Sequence, residues 1–66
     1  MIVVYQGENV RTDALTVAAF LEERGIDGKK AIVEYAGEVY APGADLGQIA
    51  LGPGTSLDVF RIMAGG

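Results

Sequence analysis

Sixty-six residues, half of them apolar, make one domain and leave no room for a second. With no cysteine there is no disulfide to staple so small a core and no thiolate for sulfur or redox chemistry, and with no histidine there is no near-neutral proton shuttle. Nine acidic against five basic residues, a formal charge of −4, argue against nucleic acid, whose phosphates need lysine and arginine, and for a partner protein with a basic docking surface.

In chain order, Ile2-Val3-Val4-Tyr5 is β-branched and aromatic, so residues 1–6 are predicted to form a strand. Gly7-Glu8 reads as a tight turn and residues 9–11 as a returning strand. Between Thr12 and Gly25 the period changes: Leu15 or Val17, with Phe20, Leu21 and Arg24, follows helical spacing, and Glu22 and Glu23 face water. Thr12, Asp13 or Thr16 is the candidate cap at its start, and Gly25 is placed to end it in the left-handed conformation with Ile26 folding back onto the last turn. Asp27-Gly28-Lys29-Lys30 reads as a polar loop, residues 31–35 as a third strand, Ala36-Gly37 as a turn and residues 38–41 as a fourth strand. A short helical turn over 46–51 brings Leu46, Ile49 and Leu51 to the core, and Gly52-Pro53-Gly54 is a turn. Residues 56–63 read as the last strand, and Ala64-Gly65-Gly66 as a tail almost without side chains.

One helix across a mixed sheet of four to five strands, with the first and last strands parallel at its centre, satisfies this order. That is the α+β arrangement called the β-grasp, or ubiquitin-like, fold. The expected division is a β-grasp domain over 1–63 and a diglycine tail over 64–66. Met1 opens directly into a strand with no basic leader, and no run approaches the ~20 apolar residues of a membrane span. The expected compartment is therefore the cytoplasm, with neither membrane nor nucleic acid as partner.

Glycine has no Cβ, so a tail ending Gly65-Gly66 can run extended through a channel too narrow for other residues and present a carboxylate inside a partner. At this point the chain resembles the thiamine-biosynthesis sulfur carriers. The resemblance lies in Gly65-Gly66 behind residues 57–64, in Thr16-Val17 leading to Phe20-Leu21-Glu22-Glu23, and in Glu34-Tyr35-Ala36-Gly37-Glu38-Val39 as the central hairpin. It implies a cycle in which an adenylating enzyme related to ubiquitin activators uses ATP to make the Gly66 acyl-adenylate. A sulfur-donor enzyme then converts it to a thiocarboxylate, and a thiazole synthase takes the sulfur for the thiazole of thiamine. The chain would be a recharged cosubstrate, with no catalytic residue, metal or bound cofactor of its own. The small subunit of molybdopterin synthase and carriers for other thiolated products share this tail, and a ubiquitin-like modifier or binding module shares the fold without sulfur.

Strand parity adds a second candidate site. If Met1, Val3, Tyr5, Leu57, Val59 and Met63 face the helix, then Ile2, Val4, Phe60 and Ile62 face away from it. With the two strands adjacent, these four form one apolar patch, the expected partner interface. Arg61 is nominally inward and snorkels at the core edge. Asp58, Glu34 and Glu38 are read as a solvated face, and Gly52-Pro53-Gly54 lacks the following lysine and helix of a phosphate loop.

Overall fold

A computed structural model describes residues 1–62 of the chain. Five strands, β1 (Ile2–Tyr5), β2 (Glu8–Arg11), β3 (Ala31–Tyr35), β4 (Glu38–Tyr40) and β5 (Ser56–Arg61), accompany one helix, α1 (Val17–Glu23). The strands form a single mixed sheet in the order β2-β1-β5-β3-β4. β1 and β5 run parallel near its centre, and the other pairings are antiparallel. The protein is thus α+β, a five-stranded mixed sheet packed on one helix.

The helix forms where the apolar spacing places it, but it is shorter than the 12–25 window. Thr16 is the cap: its hydroxyl accepts from the Ala19 amide at 3.1 Å, satisfying one of the donors left open in the first turn. Of the two alternatives for the apolar face, Val17 is buried beside Phe20 and Leu21, whereas Leu15 is 73% exposed. Leu15 instead lends its carbonyl to the Leu51 amide, and Val17 donates to Ile49, so residues 49–51 lie along the entry to the helix. At the other end Gly25 has φ 72, Ile26 donates to Leu21 at 2.8 Å and Gly25 to Glu22 at 3.0 Å. This 6→1 and 5→2 pair closes the last turn as the sequence predicts.

Inward positions of β1, β3 and β5 meet the helix in one core, with Val3, Phe20, Leu57, Val33 and Val17 at or near complete burial. Tyr5 is half-buried, its ring edge-on to Phe20 at 5.2 Å, and the Arg24 guanidinium lies 4.9 Å from the centre of the Tyr5 ring. Arg24 therefore belongs to the apolar stripe by laying its guanidinium over the Tyr5 and Phe20 rings while the residue stays exposed. The Tyr35 hydroxyl donates to Ala50 and accepts from the Gly52 amide, tying the loop before β5 to the sheet. A single 3₁₀ turn at Leu46–Gln48 replaces the broader helical turn, burying Leu46 and leaving Ile49 half-buried. Gly28–Lys30, expected as a plain polar loop, is also a 3₁₀ turn, because the Asp27 side chain accepts from the Lys29 amide at 2.9 Å.

Two tight hairpins correct or refine the predicted boundaries. The first turn is Gln6-Gly7, not Gly7-Glu8: both residues have positive φ, 51 and 82, the geometry of a two-residue type I′ loop, and Glu8 is released to pair with Tyr5. Ala36-Gly37 forms the same loop, with φ 53 and 84. A left-handed alanine is strained, and asparagine adopts this region far more readily. Ala36→Asn is expected to stabilise the fold by about 0.5 kcal/mol, read as a higher urea midpoint at unchanged slope; a lower midpoint would contradict the turn assignment.

Candidate functional site

The candidate tail residues Ala64, Gly65 and Gly66, together with Met63, lie outside the described residues. What the structure places is the strand that leads to them. β5 is held along one side by β3 through five registered pairs, Ala31↔Arg61 to Tyr35↔Leu57. Beyond Arg61 the Ile62 amide still donates to the Lys30 carbonyl at 2.9 Å. The chain is therefore held to the sheet as far as Ile62.

On the side of β5 facing β1 the pairing is much shorter, Val4↔Ser56 and Tyr5↔Leu57, because β1 turns away at Gln6. There the Gln6 side chain takes over. Its Nε2 donates to the Val59 carbonyl at 3.0 Å, and its Oε1 accepts from the Val59 amide at 2.9 Å. Sequence reasoning passed over Gln6. The available signal was a glutamine directly before Gly7, at a turn position where asparagine, aspartate or glycine is the usual choice.

Of the four residues expected to form one patch, Ile2, Val4 and Phe60 hold strand positions facing away from the helix and Ile62 follows the end of β5, but the register does not bring them together. Val4 sits beside Ser56, so Phe60 is four residues further along, about 13 Å at ~3.3 Å per residue. Ile2, whose carbonyl accepts from Gly54, is about 20 Å from the level of Phe60 by the same count. Between them on this face stand Ser56 and the carboxylate pair Asp58 and Glu34, which are directly opposite each other. Parity determines the face of each residue but not its level along a neighbouring strand. Two apolar clusters result: half-buried Val4 with exposed Ile2 at one end, and Phe60, Ile62 and Ile32 at the other.

The second cluster stands at the end of the described part of β5. Phe60 is 57% exposed and pairs with Ile32 of β3; Ile62 is 51% exposed. Beside them Gly25, Ile26, Asp27, Lys30, Arg61 and Ile62 line a shallow hollow of about 240 Å³. Lys29, Lys30 and Arg61, three of the five basic residues, gather at this end of the molecule. Arg61 is exposed, paired with the buried Ala31 and lining the hollow with Ile26, at the edge of the core. Around the hollow itself Lys30 and Arg61 stand with one acidic residue, Asp27.

Among the described residues no group of three or more acidic, histidine or cysteine side chains is placed to hold a metal ion. No helix among them is long and apolar enough to cross a membrane. No protein-family model matches the chain, and no curated protein matches it.

Proposed function

We propose that this chain is a sulfur carrier of the β-grasp class, charged at the carboxylate of Gly66, with the thiazole of thiamine as the leading destination of its sulfur. The observation that carries this reading is the placement of β5. It is central in the sheet, parallel to β1, fastened as far as Ile62, and carries an exposed phenylalanine near its end. The resemblance of residues 57–66 to the end of the thiamine sulfur carriers supplies the chemistry.

In that chemistry a carboxylate oxygen of Gly66 attacks the α-phosphorus of ATP in the activating enzyme and pyrophosphate leaves. Sulfide equivalents from a donor enzyme then attack the carbonyl carbon of the mixed anhydride, AMP leaves, and a thiocarboxylate remains. The sulfur passes to the acceptor on the thiazole synthase, and hydrolysis returns the carboxylate. The protein contributes position rather than catalysis: a rigid body, a fixed exit and a docking surface.

The docking surface of this reading is the Phe60–Ile62 end, which a partner covers while it admits the tail. Phe60→Ser is expected to weaken binding to the activating enzyme about tenfold, the loss of one partly buried aromatic contact. Ile2→Ser, at the far end of the face, is expected to change it less than twofold. Protein-dependent exchange of pyrophosphate into ATP, measured against carrier concentration, reads both. Equal effects of the two substitutions would restore a single continuous interface, and no effect of Phe60→Ser would remove this surface from the account.

A further inference from the structure

Gln6 breaks a local rule. The first position of a type I′ turn favours asparagine, aspartate or glycine, yet here an ordinary side chain is held at φ 51. A residue kept in a strained conformation points to a compensating gain elsewhere. The gain is visible in the two hydrogen bonds to Val59.

Along β5 the backbone groups of alternate residues point to opposite neighbours. The Leu57 carbonyl points to β1, where it accepts from the Gln6 amide at 3.1 Å, and the Ser56 carbonyl points the other way and accepts from Ala36. Val59 is next in the series that faces β1, but β1 has already turned off. Without a substitute, the amide and carbonyl of a residue that is 5% exposed would lack partners. The carboxamide has the donor and acceptor of a peptide group, and glutamine, one methylene longer than the asparagine such turns favour, is the side chain found spanning the gap. Gln6 thus extends the β1–β5 ladder by one residue without extending β1.

We infer that Gln6 is the positioning residue of the tail: by clamping Val59 on the side that β1 has left, it fixes, together with β3 on the other side, the end of β5 from Phe60 to Ile62, from which the chain continues to Gly66. Its role in transfer rests on the carrier reading, whereas the clamp does not. The benefit to a carrier is fewer exit directions for the segment that must enter a partner's channel, so less ordering is left to the encounter.

The test uses the full chain with Gln6→Ala and Gln6→Glu. In Gln6→Ala the protection of the Val59 amide against hydrogen exchange is expected to fall about tenfold or more, while that of Phe60, which points to β3, changes little. In Gln6→Glu an ionised carboxylate can accept from the Val59 amide but has no hydrogen for the Val59 carbonyl, and its protonated form restores both bonds. The protonated form is therefore favoured by folding. The stability added by the carbonyl bond is present below the ordinary glutamate range, about pH 4.3, and is lost as pH rises through the raised folded value. The Val59 amide keeps its acceptor and its protection throughout. With the activating enzyme, Gln6→Ala is expected to raise KM about tenfold with kcat within twofold. Unchanged Val59 protection in Gln6→Ala would overturn the clamp, and an unchanged KM alongside lost protection would overturn its role in positioning. Failure of the unaltered chain to be adenylated would overturn the carrier reading and the tail role with it, and Val59 protection would still decide the clamp by itself.

Discussion

Phe20→Ala is expected to abolish most of the stability of the domain. The Phe20 side chain is fully buried, lies edge-on against Tyr5 and is the largest of the completely enclosed side chains. Replacing a core phenylalanine by alanine costs about 3–5 kcal/mol, from lost transfer energy and from the cavity left behind. At about 0.05–0.15 kcal/mol per residue, a chain of this length holds roughly 3–10 kcal/mol in all. It has no disulfide to limit the loss. Thermal unfolding followed by circular dichroism is expected to show Tm lower by on the order of 20 °C, or no cooperative transition. Leu15→Ala is the control. Leu15 lies in the same apolar spacing but is exposed, and its loss is expected to change stability by less than about 0.5 kcal/mol. A Phe20→Ala protein that melted within a few degrees of the parent would contradict the packing described for the helix and sheet.

Removing Gly65 and Gly66 is expected to have the opposite profile, complete loss of function with an intact fold. The buried cluster is complete between Val3 and Val59, and the last described backbone bond of β5 is made by Ile62. That framework is made by contacts among the described residues, so Tm is expected to stay within a few degrees. Activation, by contrast, requires a carboxylate that reaches the enzyme's nucleotide. Its loss without unfolding separates a carrier or modifier from a pure binding module, which would keep both its partner and its affinity without the tail. Retention of acyl-adenylate formation by the shortened chain would contradict the assignment of Gly66.

Much of this architecture was legible because it is written locally. Ala31–Tyr35 alternates cleanly and is the third strand at its predicted bounds. The glycine after the helix and the isoleucine that follows it fold back as such a pair does. Phe20 and Leu21, with Leu15 or Val17, read as one helical face, and Val17 is the one buried with them.

What escaped the sequence depended on relations between segments distant along the chain. The β1–β5 register is set by packing over some fifty residues of separation, and it split a patch that parity alone had joined. Leu15 fits the helical period but precedes the cap, so its side chain leaves the stripe. Gln6 carried no apolar or charge signal; its meaning lies in the unpaired backbone of Val59, 53 residues away. The basic cluster at the end of β5 likewise depends on Lys29 and Lys30 arriving beside Arg61. The net charge of −4 points to a basic partner, and it does not show that Lys29, Lys30 and Arg61 lie at one end of the fold.

The central claim is that Gly66 carries sulfur, and intact-protein mass spectrometry tests it most directly. The chain is incubated with ATP, an adenylating enzyme of the thiamine-carrier type and a sulfur donor, alongside a carrier already charged by that enzyme. The account predicts a mass increase matching one oxygen replaced by sulfur, placed at Gly66 by fragmentation and reversed by hydrolysis. An unchanged mass while the second carrier is charged in the same tube would contradict it.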